Sequence, residues 1–445
     1  MRDETVAIHG GYDGETTGAG AVPIYQTVSH ELESAEVAGR IFDLDQPGFH
    51  YNRLANPTND VLERPMASLE HGTGALSYAS GMAAVYQAVR NLATAGSNVV
   101  TVPNLYGATY TLFAHGLAEE GIEARFSTDD RPEAVARLID DDTRLVYCES
   151  IGNPAGNLVD LAALAEVAHE AGVPLVVDNT MATPLLLKPI DHGADVVVHS
   201  LTKFVGGHGT LLGGVVVDAG RFPWGDHARR FPMLNEPEPA FHGVVYARDF
   251  PERAYLVRCR TVGMRNGGPT LAPFNAFLAL QGLETLAVRL ERQMANARAV
   301  AEYLRDDPRV AWVSYAGFPD HPSHDLVARY LGGRCPSVLT FGVAGGYEAG
   351  LAFFDAVQLF KRMLNLGDTR SLVVHPASTT HRQLGPADLE AVGIRPDMIR
   401  LSLGLEHVDD LLDDLDQALG TATGGPPGMT RGASTSRAAA PRRSR

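Results

Sequence analysis

The chain of 445 residues is long enough for two or three domains and for a large buried core. Its apolar content of 45% and its charged content of 20% are those of an ordinary globular protein. The net charge is −16 although the last 25 residues contain five arginines, and a body this acidic argues against nucleic acid or an anionic membrane as the main partner.

The cysteines and the apolar runs indicate the compartment. Cys148, Cys259 and Cys335 are far apart and form no CxxC pair, which suits a reducing compartment better than a disulfide framework. The first ten residues, MRDETVAIHG, do not follow the basic-then-apolar pattern of a secretory leader. No apolar run approaches the roughly 18 residues that a membrane-spanning helix needs. We therefore expect a cytoplasmic protein.

Turn formers dominate residues 1–60, which we expect to form an irregular N-terminal segment. A large domain is predicted at 61–260, where short β-branched runs recur between turn signals: VVTV (99–102), RLVYCES (144–150), PLVVDN (174–179), DVVVHS (195–200) and GGVVVD (213–218). These runs are apolar without alternation, as strands buried on both faces are. A helical pattern at 161–172 ends at Gly172. Strands and helices in alternation predict crossover connections and a mostly parallel sheet.

A second region begins near residue 260 and is marked by a long helical pattern at 283–306. Three more strand-like runs follow it: SVLTFGV (337–343), SLVVHP (371–376) and MIRLSLGLE (398–406). These elements predict a smaller C-terminal domain at 261–420. Residues 421–445 are rich in Gly, Pro, Ser, Thr, Ala and Arg and have little to bury, so we expect a disordered tail.

Polar residues follow the predicted strands, and ligands of parallel α/β sheets bind at this edge. PLVVDN contains Asp178, Lys203 comes just after DVVVHS, RLVYCES ends near Glu149, and Tyr106 follows VVTV. A helix also begins at Ser80 and Gly81. Taken singly, such residues are most often caps, turn residues, core aromatics or surface lysines.

Together these residues match the needs of pyridoxal phosphate. An amine can bind the cofactor covalently, and a carboxylate can hold a proton on the pyridine nitrogen, which makes the ring an electron sink. An aromatic side chain can stack on the ring. Free N–H groups at the start of a helix can bind the phosphate.

The stretches that carry a family resemblance lie in order along nearly the whole chain. They are YNRLANPTNDVLE (51–63), YASGMAA (78–84), LYGATYTLF (105–113), ESIGNPAGNLVD (149–160), VVDNTMATP (176–184), HSLTKFVGGHG (199–209) and IRLSLGLE (399–406). In them the chain resembles the Cys/Met-metabolism family of pyridoxal-phosphate-dependent enzymes. The resemblance implies an α/β fold of the aspartate-aminotransferase type (fold type I), with a mostly parallel central sheet flanked by helices and a smaller C-terminal α+β domain.

The resemblance also assigns residues to the cofactor. Lys203 would form the Schiff base with pyridoxal phosphate and later move the Cα proton of the substrate. Asp178 would pair with the pyridine nitrogen, and Tyr106 would stack on the ring. The residues implied to hold the phosphate are Gly81, Met82, Ser200 and Thr202.

Further residues are implied for the substrate and for a neighbouring subunit. Tyr51 and Arg53 would reach the phosphate of the neighbour's cofactor, so the active unit would be at least a dimer, and a homotetramer is expected. Arg400 would bind the substrate carboxylate, which suits the geometry of a guanidinium group. Asn153 would help to position that carboxylate or the cofactor.

Three features indicate the reaction by resemblance. The Pro- and aromatic-rich segment at 221–250 resembles the longer branch of the family that acts on O-acetylhomoserine with sulfide. Asp368, Thr369 and Arg370 stand where cystathionine-type members look more like SLGxxESL, and Ala108 stands where methionine γ-lyases tend to have cysteine. The implied reaction is γ-replacement on O-acetyl-L-homoserine, with sulfide giving homocysteine and acetate, or methanethiol giving methionine.

Several alternatives stay open at this level. The chain could be a cystathionine γ-synthase, a cystathionine or methionine γ-lyase, or a catalytically silent cofactor-binding regulator on the same fold. The acyl group could be acetyl or succinyl, and the sequence does not separate a dimer from a tetramer. His321 and His324 have a spacing that could suggest a metal, but no further ligand is near in the sequence, and we expect no metal site.

Overall fold

The computed structural model describes residues 1–14, 18–154, 156–380, 382, 385, 389 and 393–424. The predicted disordered tail therefore lies outside the described residues, apart from its first four, and three of those belong to the helix Val408–Thr423. Among the described residues, no helix combines the length and the apolar character needed to cross a membrane.

A seven-stranded sheet forms the centre of the fold. Its strands are β1 (Gly74–Tyr78), β2 (Asn98–Thr101), β3 (Glu123–Phe126), β4 (Thr143–Glu149), β5 (Leu175–Asp178), β6 (Val196–Ser200) and β7 (Gly214–Asp218). The spatial order is β1-β7-β6-β5-β4-β2-β3, and β7 alone runs antiparallel to its neighbours in this sheet. All five predicted strands of this region are present. The two edge strands β1 and β3 were not predicted. The sequence of β1, GALSY, and the half-exposed sequence of β3, EARF, lack a continuous β-branched run.

Helices flank this sheet, and further helices lie in the C-terminal part of the chain. The longer ones are Asp3–His9, Ala35–Phe42, Pro57–Leu69, Gly81–Arg90, Leu161–Glu170, Pro273–Glu284, Leu286–Asp306, His324–Leu331, Gly346–Ala356 and Val408–Thr423. Shorter helices include Gly107–Thr111, Pro132–Ala136, Thr183–Leu186, Pro232–Asn235, Tyr246–Asp249 and Ala254–Arg258. The expectation that residues 1–60 are irregular is wrong in part, because the first three longer helices begin there.

The helix Pro57–Leu69 shows why the N-terminal helices were missed. Its start is well specified, since Pro57 occupies the first turn and the Asn56 side chain accepts a hydrogen bond from the Thr58 N–H at 2.9 Å. Pro65, however, lies inside the helix and interrupts the sequence pattern that would otherwise predict it.

A five-stranded sheet makes up the C-terminal part. Its strands are β8 (Val310–Ser314), β9 (Val338–Val343), β10 (Lys361–Arg362), β11 (Leu372–Val374) and β12 (Met398–Ser402), in the order β10-β11-β12-β9-β8. The pairs are antiparallel except β10–β11. The helical pattern at 283–306 becomes a helix only from Leu286, because Leu283 and Glu284 end the preceding helix. The domain boundaries near 60, 260 and 420 stay predictions.

The segment at 221–250 consists of short helical turns against the large sheet. Its anchor is an aromatic cluster in which Trp224 meets Phe231 edge-on at 5.1 Å and lies parallel to Tyr255 at 6.0 Å between ring centroids. All three rings are buried, so the segment is packed into the core and is not a free loop.

Candidate active site

The sheet register brings the predicted strand ends together. Glu149 of β4 pairs with Asp178 of β5, and Asp178 pairs with Val198 of β6, so these strands end at one edge. The chain after β6 turns immediately through Lys203, whose backbone N–H donates to Ser200 O at 3.2 Å. The carboxyl ends of three parallel strands thus define one site, as predicted for this class of sheet.

Lys203 is largely buried, and its side chain reaches across to the C-terminal part of the chain. Its Nζ donates a hydrogen bond to Asn365 Oδ1 at 2.7 Å. Burial first, and the positive charge of Arg400 second, lower the pKa of Lys203 to about 8 from an ordinary value of 10.5. A substantial fraction of the amine is therefore neutral near physiological pH, as a nucleophile requires.

Asn365 is a site residue that the sequence did not reveal. Besides accepting from Lys203, it accepts a hydrogen bond from Arg400 Nη2 through its backbone oxygen at 3.1 Å. Asn365 lies in a loop between β10 and β11 and belongs to no strand end or helix start. No pattern in the sequence points to it.

Arg400 lies within β12 and is 8% exposed. Its Nη1 donates to Asn153 Oδ1 at 3.0 Å, so Asn153 and Asn365 together supply neutral oxygen atoms. The ion pairs formed by the described residues do not include Arg400. Burial lowers the pKa of its guanidinium to about 10, so the group still carries its charge at neutral pH. A buried cation with neutral partners is a binding site for an anion, most simply a carboxylate.

Asp178 ends β5 with its carboxyl group facing the site. Its Oδ1 accepts a hydrogen bond from the Thr180 N–H at 2.9 Å. Burial raises the pKa of Asp178, while this N–H group and the nearby His199 oppose the increase. A partner cation would therefore stabilise the carboxylate strongly.

Tyr106 directly precedes the helix Gly107–Thr111, and its side chain is 45% exposed. Its backbone N–H donates to Glu149 Oε1 at 2.5 Å. The backbone of Tyr106 is thus held at the end of β4, and a half-exposed ring at this position can cover a flat ligand.

The start of the helix Gly81–Arg90 forms a cradle for an anion. Ser80 caps the helix by accepting from the Ala83 N–H at 3.1 Å, and Gly81 and Met82 open its first turn. A Cβ atom at Gly81 would lie 2.6 Å from Ser200 Cβ, so only glycine allows this close approach to the end of β6. The N–H groups of a first helical turn and the helix dipole favour a phosphate at such a position.

Thr202 completes the turn between β6 and Lys203. Its hydroxyl accepts a hydrogen bond from the Gly213 N–H at 3.1 Å, and the Ser200 N–H donates to Thr180 Oγ1 at 2.8 Å. The residues that were predicted to bind the phosphate therefore lie together, next to Lys203.

Tyr51 and Arg53 lie in the turn before the helix Pro57–Leu69. The Arg53 guanidinium lies 5.0 Å from the centre of the Tyr51 ring, and the Arg53 backbone oxygen accepts from the Thr270 hydroxyl at 2.8 Å. Tyr51 is 39% exposed. The two residues form a pair on the surface, and their predicted role toward a neighbouring subunit stays a prediction.

The chemistry of this donor set fits pyridoxal phosphate. A largely buried amine of lowered pKa, a buried carboxyl group, an open aromatic ring and a glycine-requiring helix start lie around one sheet edge. Each matches a different part of the cofactor: the aldehyde, the ring nitrogen, the ring face and the phosphate.

His321 is held by hydrogen bonds to neighbouring serines. His321 Nε2 lies 3.2 Å from the Ser314 hydroxyl, and its Nδ1 accepts from the Ser323 N–H at 3.1 Å. In the part of the chain that the structure describes, no group of three or more His, Cys, Asp or Glu residues is arranged to hold a metal ion.

Comparison with known proteins extends these observations to the whole chain. The model of the Cys/Met metabolism PLP-dependent enzyme family matches residues 4–420. The O-acetyl-L-homoserine sulfhydrylase 1 of Thermus thermophilus is 48% identical over 422 residues, which cover 94% of this chain and 100% of that protein. The homocysteine synthase of Schizosaccharomyces pombe is 46% identical, with 94% and 98% covered.

A crystal structure shows the same fold. The Campylobacter jejuni protein described as an O-acetylhomoserine (thiol)-lyase superposes with a TM-score of 0.91 at 40% identity, covering 94% of this chain and 100% of that one. That structure contains an N'-pyridoxyl-lysine-5'-monophosphate residue. The predicted fold and the predicted cofactor are confirmed, and the chain belongs to the Cys/Met-metabolism family of pyridoxal-phosphate-dependent enzymes.

Proposed function

We propose that the protein is a pyridoxal-phosphate-dependent transferase that replaces the acetate of O-acetyl-L-homoserine with sulfide, giving L-homocysteine and acetate. Methanethiol in place of sulfide would give methionine. The observation that carries the proposal is a chain of contacts from Lys203 through Asn365 to Arg400. It links an amine of lowered pKa to a buried guanidinium whose hydrogen-bond partners, among the described residues, are uncharged. Two relatives of high coverage, named as an O-acetylhomoserine sulfhydrylase and a homocysteine synthase, support the choice of substrate.

The bound cofactor supplies an electron sink that allows a proton to leave Cα and a leaving group to depart from Cγ. Lys203 carries the cofactor covalently in the resting enzyme. When the amino acid takes its place, the freed Nζ accepts the proton from Cα. Asn365 Oδ1 holds that amine at 2.7 Å, so the base stays beside the reacting carbon.

Asp178 and Tyr106 act on the ring of the cofactor. The Asp178 carboxylate keeps a proton on the pyridine nitrogen, because the ring cation compensates the cost of burying the carboxylate. The Tyr106 ring covers one face, and its exposure of 45% leaves that face available for stacking. Gly81, Met82 and the turn at 200–202 hold the phosphate.

Arg400 binds the carboxylate of the amino acid. Its charge is buried, and its two described partners are the neutral oxygens of Asn153 and Asn365. A bidentate carboxylate would complete its hydrogen bonds and orient Cα toward Lys203 Nζ. The same site would bind the α-carboxylate of any amino-acid substrate, so Arg400 does not select the acyl group.

The working unit that we propose is a homotetramer built from dimers. Tyr51 and Arg53 form an open pair whose ring and guanidinium together suit a phosphate, and they lie in the N-terminal segment. In the dimer they would reach the phosphate of the neighbour's cofactor. The three cysteines are buried and free, which supports a cytoplasmic location.

The alternatives are a γ-synthase that uses cysteine and a γ-lyase of the same family. The segment at 365–370 favours the sulfhydrylase by resemblance, because Asp368, Thr369 and Arg370 stand where cystathionine-type members look more like SLGxxESL. In the structure the Arg370 guanidinium donates to the buried Asp368 at 2.8 Å, within the loop that contains Asn365. The cysteine that γ-lyases tend to have at the position of Ala108 is absent as well.

A product assay on the cofactor-loaded protein tests the proposal. The protein is offered O-acetylhomoserine or O-succinylhomoserine, each with sulfide, methanethiol or cysteine, and separately methionine alone. We expect homocysteine from the acetyl ester and sulfide as the main product. Cystathionine as the main product, or a 2-oxo acid released from methionine, would place the protein in the synthase or lyase branch instead.

A further inference from the structure

Glu149 is a buried carboxyl group beside the proposed cofactor that the proposed chemistry does not use. It ends β4 and is 5% exposed. The ion pairs of the described residues do not include it. Burial and the neighbouring Asp178 raise its pKa well above the ordinary value of a glutamate. A group of this kind needs a reason to be at the site, because burying an acid without a cationic partner costs stability.

Its position relates it to two residues that face the cofactor. The β4–β5 register pairs Glu149 with Asp178, and paired residues of parallel strands point to the same face of a sheet. Its Oε1 also accepts the Tyr106 backbone N–H at 2.5 Å. Glu149 therefore connects the residue that stacks on the ring with the residue that holds the ring nitrogen.

Tyr106 is fixed at this point through its backbone. It is the residue before the helix Gly107–Thr111, and its oxygen already accepts the Tyr110 N–H at 2.9 Å. Its own N–H points out of the helix and must find a partner elsewhere. Glu149 provides that partner, so the position of the carboxyl group sets the direction in which the tyrosine ring leaves the backbone.

We propose that Glu149 is a positioning residue that holds the Tyr106 backbone against the end of β4 and thereby sets the tyrosine ring over the cofactor. The inference rests on the proposed function, because it takes Tyr106 as the residue that stacks on the ring. Glu149 does this as an uncharged acid. Each of the two paired carboxyl groups accepts one backbone N–H, but Asp178 also has the Thr180 side chain and the nearby His199 to favour its charged form, whereas Glu149 has neither. Asp178 is therefore the group that keeps the negative charge that the ring nitrogen requires.

The test compares four variants of the full-length protein: Glu149→Gln, Glu149→Asp, Glu149→Ala and Tyr106→Ala. The measurements are the dissociation constant of pyridoxal phosphate for the cofactor-free protein, the circular dichroism of the bound cofactor, and kcat and KM. Glutamine keeps both the length and the oxygen acceptor without a charge. Aspartate keeps the carboxyl group but is one methylene too short to reach the Tyr106 N–H.

We expect Glu149→Gln to stay within about threefold of the wild type in all measurements. Glu149→Asp and Glu149→Ala should weaken cofactor binding by about tenfold and change the dichroism of the bound cofactor, since loss of one buried hydrogen bond typically costs this much. The double variant of Glu149→Ala and Tyr106→Ala should bind the cofactor no more weakly than Tyr106→Ala alone, because Glu149 acts through the tyrosine.

Asp414→Ala is the matched control for a purely structural effect. Asp414 is also buried and accepts backbone N–H groups, from Leu359 at 2.8 Å and Phe360 at 3.0 Å, but it lies in the C-terminal helix. Its loss should lower the melting temperature and leave the cofactor measurements unchanged.

Two outcomes would overturn the inference. Glu149→Ala with wild-type cofactor affinity and dichroism and only a lower melting temperature would make Glu149 a structural residue like Asp414. Glu149→Gln as defective as Glu149→Ala would show that a charge is needed. Both measurements use cofactor binding and are independent of which thiol or ester the wild-type enzyme accepts, so failure of the proposed function would be seen separately.

Discussion

The two sheets of the molecule contribute to the site in different ways. The seven-stranded sheet presents Asp178 and Lys203 from consecutive parallel strands that end at one edge. The five-stranded sheet presents Arg400 from within an antiparallel strand and Asn365 from a loop. The first arrangement follows from topology alone, whereas the second depends on how the C-terminal part packs against the first. We infer a division of labour: the large sheet holds the cofactor, and the small sheet holds the substrate.

The strongest test of this division is Lys203→Ala. Loss of the amine removes both the covalent attachment and the base, so we expect turnover to fall by about 10⁴-fold or more, the upper range for one acid–base group. The measurement is homocysteine formation from O-acetylhomoserine and sulfide. Lys188→Ala is the control, since Lys188 is also largely buried but donates to Asp3 and to the Pro184 oxygen. Normal turnover in Lys203→Ala would contradict the role of the large sheet.

Asp178→Asn also tests the role of the large sheet, and it should reduce turnover less than Lys203→Ala does. An amide cannot hold the proton on the ring nitrogen as a carboxylate does, so we expect kcat to fall on the order of 10²-fold, comparable to the loss of one preorganised electrostatic group. Some cofactor should still bind, which absorbance at saturating cofactor would show.

The control for this change is Asp218→Asn. Asp218 is likewise a buried aspartate at the end of a strand, but β7 runs antiparallel and places it at the opposite edge of the sheet. Burial raises the pKa of Asp218 to about 7. The Asp218→Asn variant should therefore keep its turnover, and equal losses in both variants would refute the special role of Asp178.

Arg400→Lys tests the role of the small sheet, which we infer to hold the substrate. Lysine keeps the charge but loses the planar pair of donors, so we expect KM for O-acetylhomoserine to rise by about 10²-fold with little change in cofactor affinity. Arg362→Lys is the control, because Arg362 donates to backbone oxygens from β10 at the surface. A large loss of cofactor affinity in Arg400→Lys would mean that the two sheets do not divide the work in this way.

The convergence of residues on the proposed cofactor side followed from the sequence more directly than that on the proposed substrate side, while the roles of all these residues stay predictions. Lys203, Asp178 and Tyr106 follow buried strands, and the rule that parallel sheets bind ligands at their carboxyl edge brings them together. Arg400 was assigned only through family resemblance, because the middle of an antiparallel strand carries no such rule. Asn365 was missed, because its partners Arg400 and Lys203 lie 35 and 162 positions away from it in the chain.

The same limit explains the differences in the fold. Strands buried on both faces, such as β5 and β6, are recognised by their continuous β-branched runs, and their bounds were predicted within one residue. The half-exposed strand β3 and the helix that contains Pro65 are not, because packing against the rest of the chain overrides their weak local patterns.

Asn365 sharpens the comparison most, because it belongs to the small-sheet part of the chain yet contacts the lysine of the large sheet. Its side chain accepts from Lys203, while only its backbone oxygen accepts from Arg400. Asn365→Ala should therefore lower kcat, by about tenfold for a base that is less well placed, and leave KM within a fewfold of the wild type. A rise in KM without a fall in kcat would assign Asn365 to the substrate side instead.

Asn365→Asp separates position from charge at the same place. A carboxylate beside Lys203 would favour the ammonium form and raise its pKa above the wild-type value of about 8. Because only the neutral amine can attack the aldehyde of the cofactor, the pH at which cofactor-free protein incorporates pyridoxal phosphate at half its maximal rate should increase in Asn365→Asp. In the wild type that rate should rise with pH and level off above about 8. An unchanged pH dependence in Asn365→Asp would mean that the amine does not rest against Asn365 before the cofactor arrives.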